Sequence, residues 1–218
     1  MMRNVNDTLR SLTSFTGPFS EFHPEDVPGN PTELFIEWLY EAIEKRIQEP
    51  HAMTLSTVDK HGVPDARTLI LKNVTRNKWF FATSCKSQKG KQLELNPRVA
   101  LTFYWSELGR QVRIRGIASV TNKKLSDKDF LERSVNARAI ALIGRQSEEL
   151  IDQNELDDVF IEKQEIVKRD PLIVAPYWHL YSVFAEDVEF FQGNTHRKNV
   201  RVKYERKGEQ WASKLLWP

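Results

Sequence analysis

The stretch that most constrains this chain runs from Arg67 to Val99, because its hydrophobic pattern changes period part-way along. Arg67-Thr-Leu-Ile-Leu-Lys72 is an aliphatic and β-branched run with a cation at each end, and Trp79-Phe-Phe-Ala-Thr83 is a second run. The polar segment Asn73 to Lys78 between them reads as a turn. Ser84-Cys-Lys-Ser-Gln-Lys-Gly-Lys91 then opens a short helix that Asn96-Pro97 stops, with Ser84 or Ser87 able to cap it. Lys86, Lys89 and Lys91 crowd the first turn of that helix, where the macrodipole favours negative charge. A bound anion resolves the conflict, since free backbone N–H groups, hydroxyls and lysines together make a phosphate site. A solvated basic turn is the alternative that spacing leaves open.

The rest of the chain extends the strand pattern. Met53 to Val58 alternates apolar and polar residues, and Asp59-Lys-His-Gly62 reads as a hairpin turn. Val99 to Trp105 and Gln111 to Val120 are further strands, the latter expected to face the core with Val112, Ile114 and Ile117. The tail predicts strands over Tyr177 to Ala185, Val188 to Phe191, Arg201 to Tyr204 and Trp211 to Leu216. Helices are expected from Pro31 to Pro50, from Ser126 to about Arg133, over Ala137 to Ile143 and over Glu155 to Lys168. Short strands at regular spacing joined by tight turns predict an antiparallel barrel rather than a βαβ sheet. Residues 1–30, with Gly17, Pro18, Pro24, Pro28 and Gly29 and no clear periodicity, predict an extended arm ahead of a domain over 31–218.

Composition excludes several classes. The chain has 218 residues, enough for one sizeable core, and its net charge of +2 argues against a nucleic-acid or membrane partner. One cysteine, Cys85, excludes an internal disulfide framework and fits a reducing compartment. Residues 1–15 lack the apolar stretch of a secretory leader, and no run reaches the roughly 18 apolar residues of a membrane span, so a cytoplasmic protein is expected. The five histidines, His23, His51, His61, His179 and His196, have no paired spacing, so no metal site is expected. The chain has no Gly-x-Ser-x-Gly elbow, Walker lysine or Gly-x-Gly-x-x-Gly motif. What remains is a set of cations, amides and hydroxyls: Arg67, Lys72, Ser87, Lys89, Gln111, Arg133, Gln146, Ser147, Arg197 and Arg201. Such a set binds a phosphorylated planar ligand, and redox chemistry would then come from a cofactor.

The order and spacing of several short motifs resemble the pyridoxamine 5′-phosphate oxidase family of FMN-dependent flavoproteins. The motifs are Glu49-Pro-x-Ala-Met53, Arg67 to Lys72, Ser87-Gln-Lys89, Asn96-Pro-Arg-Val99, Arg110-Gln-Val112, Gln146-Ser147 and Glu189-Phe-Phe-Gln-Gly193, the last leading to His196-Arg197 and Arg201. The resemblance implies a mainly β (α+β) fold, a Greek-key-like split antiparallel β-barrel with flanking helices. It also implies a homodimer with FMN at the interface. By position, Arg67, Lys72, Thr83, Ser87, Lys89, Gln111, Gln146, Ser147, Phe191 and Arg201 look like the FMN contacts. For Gln146-Ser147 a helix cap is the alternative, and for Arg67 and Arg201 a salt bridge on the barrel rim.

By the same carry-over Lys72, Arg133, Arg197 and Asn199 face the substrate, with Arg197 as the catalytic residue. The implied activity is oxidation of a small aromatic substrate resembling pyridoxine or pyridoxamine 5′-phosphate, by hydride transfer to flavin N5 and reoxidation by O2. Some positions depart from the family pattern. Asp129 stands where a tyrosine is usual, Ala137 for a serine, Asn199 for a histidine, Phe191 for a tryptophan, Gln88 for an arginine, and His179 and Leu180 for glycines. Asp129 would repel a substrate phosphate if it points inward, whereas a one-residue shift would put Phe130 there. Ser87-Gln-Lys-Gly90, Arg145 to Leu150 and Gly17-Pro-Phe-x-Glu-Phe22 look more like the family branch that oxidises reduced tricyclic intermediates in phenazine biosynthesis, while Lys72 looks like the vitamin B6 enzymes. Two further readings stand beside these. One is an FMN-binding barrel without oxidase turnover. The other is an oligonucleotide-binding barrel that stacks bases on Trp79, Phe80, Phe81, Phe103, Tyr104 and Trp105.

Overall fold

The computed structural model describes residues 4–14 and 16–218. Nine strands form one sheet, β1 (Ala52–Val58), β2 (Pro64–Ile70), β3 (Asn73–Thr75), β4 (Lys78–Ser84), β5 (Arg98–Trp105), β6 (Arg110–Val120), β7 (Trp178–Gln192), β8 (Val200–Lys207) and β9 (Gln210–Leu215). Their order is β2-β1-β5-β6-β7-β4-β3, with β8 paired to β7 and to β9. The registered pairs β1–β2, β1–β5, β3–β4, β4–β7 and β8–β9 are antiparallel, as the alternating pattern predicts. Among the described residues six α-helices accompany them: α1 (Val5–Ser11), α2 (Pro31–Glu44), α3 (Gln88–Leu95), α4 (Lys123–Leu131), α5 (Val135–Ile143) and α6 (Gln153–Arg169).

The chain divides into two compact units. One comprises the described part of Met1–Pro50 with Phe103–Arg113 and Val188–Pro218, and the other His51–Thr102 with Ile114–Asp187. In the first unit, α2 starts where Asn30 accepts a 2.9 Å hydrogen bond from the Thr32 amide and Pro31 takes the first helical position. Its apolar face buries Phe35 edge-on to Phe103 and Trp38 edge-on to Phe190. In the second unit, Phe81 stacks on Tyr181, and Phe130, Ala141, Ala175 and Trp178 form a core cluster.

Several expected boundaries move. The arm over 1–30 is not wholly extended: Asn4 caps the short helix α1, which buries no residue. Helix α2 ends at Glu44 rather than Pro50, and Arg46 and Glu49 adopt left-handed φ of 57° and 47°. The segment expected as a turn is itself a hairpin, because Asn77 takes φ of 65° and lets Val74 pair with Trp79. Helix α4 begins at Lys123 rather than Ser126, because the Asn122 side chain caps it by accepting from the Leu125 amide at 2.9 Å. Ser126 therefore lies inside the helix, its hydroxyl accepting from the Leu180 amide at 3.1 Å.

Strand β7 is one 15-residue strand where two are expected, because the polar break at Glu186-Asp187 is absorbed by ion pairs. Arg98 meets Glu186 at 3.0 Å and Arg115 meets Asp187 at 2.5 Å. On β6, Val112 and Ile114 are buried, but Ile117 is 37% exposed. Period two carries the buried face from Ile114 to Gly116 and Ala118, so Ile117 points the other way. Gly116 is required there: a Cβ would come within 2.2 Å of the Phe184 carbonyl oxygen. Of the aromatics expected as stacking platforms, Trp79, Phe80, Phe81, Phe103 and Trp105 are buried and Tyr104 is exposed, so they do not form an exposed base-stacking surface. Among the described residues no helix is long and apolar enough to cross a membrane, and no group of three metal-ligating side chains occurs.

Candidate functional site

The expected site residues fall in both units. Arg67, Lys72, Thr83, Ser87, Lys89, Arg133, Gln146 and Ser147 belong to the second, and Gln111, Phe191, Arg197, Asn199 and Arg201 to the first.

In the second unit the site is built around the start of α3. Ser87, not Ser84, is the cap: its hydroxyl accepts from the Gly90 amide at 3.2 Å and donates to the Ser84 carbonyl at 2.7 Å. The helix can begin this close to the end of β4 because residue 90 is glycine; a Cβ there would meet the Ser84 oxygen at 2.4 Å. The Gln88 amide donates to the Ser147 hydroxyl at 3.4 Å, which brings the Gln146-Ser147 loop to the same helix end. Ser147 has φ of 76°, and α6 is capped by Asp152, so Gln146-Ser147 is not a helix cap.

Lys89 stands in this turn without a partner. It is only 7% exposed, yet neither its ammonium nor its backbone N–H has a hydrogen bond or ion pair among the described residues. Burial pushes its pKa below the ordinary lysine value, and the neighbouring Arg67 charge adds to this, partly offset by Asp65. Arg67 itself is held in place by Asp65, by the Thr57 hydroxyl at 2.6 Å and by the Leu55 carbonyl at 3.2 Å. Gln92, on α3, ties the same group together by accepting from Thr57 at 2.6 Å and from Arg67 at 3.3 Å. The sequence reading missed Thr57, Asp65 and Gln92, since nothing in their spacing distinguishes them from strand and helix surface positions. A buried lysine whose ammonium and backbone N–H have no partner among the described residues, at a helix start and beside a fixed guanidinium, fits the phosphate of FMN.

A second cluster lies at Trp178. The Trp178 indole donates to Asp129 at 3.0 Å, and Asp129 also pairs with the Lys72 ammonium at 3.8 Å. The Arg133 guanidinium lies 4.2 Å over the Trp178 ring and donates to the Ala137 carbonyl at 3.3 Å, while its buried Nε has no partner among the described residues. Burial pushes the Arg133 pKa down, against the pull of Asp129. Asp129 therefore does face the cations, and Phe130 is fully buried in the core instead. Arg133 and Trp178 also line a cavity of about 320 Å3, with Ser84, Gln146 and the aliphatic Ile140, Ile143, Leu156 and Val159. Thr83 is buried in β4, opposite His179 of β7.

In the first unit Arg201 donates to Glu189 at 2.9 Å and to the Trp217 carbonyl at 2.9 Å, and Arg113 meets the other Glu189 oxygen at 2.5 Å. Both Arg67 and Arg201 are thus in ion pairs, the alternative left open for them. Arg197 has φ of 62° and donates to the Ser14 hydroxyl at 3.2 Å, so the N-terminal segment reaches it. Asn199 accepts from the Asn194 amide at 2.9 Å and shapes this turn. Gln111 and Phe191 are half-buried.

Residues 39–162 match the family model described as pyridoxamine 5′-phosphate oxidase, and residues 178–218 match the pyridoxine 5′-phosphate oxidase C-terminal dimerisation region. A pyridoxine/pyridoxamine 5′-phosphate oxidase from Legionella pneumophila (strain Lens) is 32% identical over 212 residues, covering 96% of this chain and 99% of the relative. Among solved structures, PhzG from Burkholderia lata 383, in complex with tetrahydrophenazine-1-carboxylic acid, superposes with a TM-score of 0.87 at 28% identity, covering 93% of this chain and 100% of PhzG. A pyridoxamine 5′-phosphate oxidase-related, FMN-binding protein from Nostoc punctiforme PCC 73102 shares the fold, with a TM-score of 0.71 at 19% identity over 88% of this chain and 100% of its own. The fold is the split antiparallel barrel that the family resemblance implies, in keeping with the antiparallel barrel that the strand pattern predicts.

Proposed function

The chain belongs to the pyridoxamine 5′-phosphate oxidase family, and from that premise we propose that it is an FMN-dependent oxidase of a small planar aromatic substrate. The observation that carries this reading is Lys89, a buried lysine whose ammonium and backbone N–H both lack a partner among the described residues at the start of α3. Lys89 and Arg67 hold the FMN phosphate. Gln111, Gln146 and Ser147 offer amides and a hydroxyl to the polar edge of the ring system, while Lys72, Thr83, Ser87, Phe191 and Arg201 shape the remaining contacts. Bound FMN would supply the two-electron oxidation, taking a hydride equivalent from the substrate, with O2 as the final acceptor. Lys72 and Arg133 anchor the anionic end of the substrate, Arg197 orients its ring, and Asn199 fixes the turn that presents Arg197.

The matched dimerisation region supports a homodimer, and the cofactor is placed at its interface as part of the same proposal. The names of the curated relatives support a vitamin B6 substrate. A second reading, oxidation of a reduced tricyclic intermediate, is favoured by the fold match to PhzG. The test is the visible spectrum of the protein reconstituted with FMN, followed by turnover under air with pyridoxine 5′-phosphate. A flavin spectrum that bleaches anaerobically with this compound and recovers with O2 supports the B6 reaction. A flavin spectrum inert to it moves the assignment to the second reading, and failure to bind FMN overturns the oxidase assignment itself.

A further inference from the structure

Arg197 sits on an exposed turn whose shape depends on support from elsewhere in the first unit. Its φ of 62° lies in the left-handed region, which a residue other than glycine keeps only where its surroundings over-determine it. Part of that support is local. The Arg197 amide donates to the Asn194 carbonyl at 3.0 Å, and the Asn194 amide donates to the Asn199 side chain at 2.9 Å. The base of the turn is tied to the loop ahead of β6, where the Gly193 amide donates to the Gly109 carbonyl at 2.7 Å and Gln192 donates to the Leu108 carbonyl at 3.0 Å.

The remaining support comes from the segment Ser14 to Phe22. Gly109 has φ of 62°, and the Phe19 ring occupies the space beside it that a Cβ would need, only 3.0 Å from where that atom would lie. Gly17 approaches Thr195 in the same way, since a Cβ on it would fall 2.8 Å from the Thr195 methyl. Phe22 packs edge-on to Trp38 with ring centres 5.1 Å apart, and Ser20 donates to Glu41 at 2.7 Å, so α2 anchors the far end of the segment. At the near end Ser14 accepts from the Arg197 guanidinium at 3.2 Å. A hydroxyl steers that group without opposing its charge, whereas carboxylates hold Arg67 and Arg201. A cavity of about 490 Å3 lined by Pro18, Phe19, Phe22, Asn194, Thr195 and Val200 separates segment and turn, so the two meet at points rather than along a packed face.

We propose that Phe19 is a positioning residue for Arg197. Seated on Gly109, it draws Gly17 onto Thr195 and Ser14 to the guanidinium, and so fixes the turn that carries Arg197. The consequence for substrate rests on the oxidase reading above; the ordering of the turn does not.

The test uses the FMN-loaded full-length protein as wild type, Phe19→Ala, Phe19→Leu and Arg197→Ala, with Phe19→Ala also made in the Arg197→Ala background. The His196 and Arg197 amides should exchange hydrogen faster in Phe19→Ala, with the amides of β6 and β7 unchanged, and Phe19→Leu should restore most of the protection. Whichever of pyridoxal 5′-phosphate and phenazine-1-carboxylate the wild type binds by calorimetry, Phe19→Ala should bind about tenfold more weakly at unchanged flavin content. In the Arg197→Ala background the same change should cost no further affinity, because Phe19 acts through Arg197. Unchanged exchange of the turn in Phe19→Ala would overturn the proposal, as would an equal loss of ligand affinity with and without Arg197. A wild-type protein that binds neither ligand would instead overturn the oxidase reading, and the exchange measurement would still decide the role of Phe19.

Discussion

Lys89 concentrates the chemistry of the proposed cofactor site in one side chain. Its pKa is lowered by burial and by Arg67, so its charge is lost at a lower pH than an ordinary lysine would lose it. The sign follows directly: an anion held by Lys89 binds well below that pKa and weakens as pH rises through it. FMN affinity should therefore fall on the alkaline side, and Lys89→Arg, whose guanidinium stays charged, should flatten that fall. Lys89→Ala should weaken FMN by about tenfold or more, in keeping with the loss of a charge-assisted contact to phosphate. Fluorescence titration of FMN across pH checks both, and unchanged affinity in Lys89→Ala would remove the phosphate-site assignment. Gly90 is the complementary case, where absence of a side chain is the function. Gly90→Ala should destabilise the protein by about 1–3 kcal/mol by thermal unfolding, since the added carbon meets the Ser84 and Cys85 backbone rather than a side chain that can turn away.

At the scale of elements, α3 depends on its cap. Ser87 satisfies the Gly90 amide, and its backbone carbonyl accepts from Lys91, so Ser87→Ala should cost about 1 kcal/mol of stability. The same change should also weaken FMN, because the helix start frays where Lys89 is presented; a stability loss with FMN affinity unchanged would separate the cap from the site. The strands behave differently. Period-two patterning makes the antiparallel sheet legible, and the cation at each end of the Arg67 to Lys72 run marks two expected site residues. The pattern fails where polar residues are paired in space. Glu186-Asp187 reads as a break because Arg98 and Arg115 are remote in sequence, and hydrophobicity alone places Ile117 inward, against its parity on the strand.

For the whole molecule, the Arg110–Glu41 pair is the pH-sensitive contact of the first unit. Arg110, 4% exposed at its side chain, lies 2.6 Å from Glu41, donates to Gln192 at 2.8 Å and stacks over Trp38. Burial of Glu41 opposes its ionisation, but hydrogen bonds from Ser20 and Arg110 outweigh this and hold its pKa below the usual carboxylate value. The folded value is depressed, so the stabilisation is present above the unfolded carboxylate pKa and is lost as pH falls through the folded one. Arg110→Met should destabilise the protein by about 2–4 kcal/mol at neutral pH, because it leaves Glu41 without its ion-pair partner, and should reduce the acid-side loss. Thermal unfolding between about pH 3 and 7 measures both; a stability curve whose acid limb is unchanged in the variant would show that other carboxylates set it.

The amino-acid sequence by itself determined the antiparallel strand class, the helix at Pro31, the turn at Asp59 to Gly62 and the basic start of α3, because each follows from local periodicity, capping or turn chemistry. Only the tertiary structure decided which polar groups are paired and which are free. It assigned the cap to Ser87, buried Lys89 without a partner among the described residues, tied Arg201 to Glu189 and set Asp129 against Lys72. The physical reason is that burial and charge pairing depend on residues far apart in the chain, which come together only when the backbone folds.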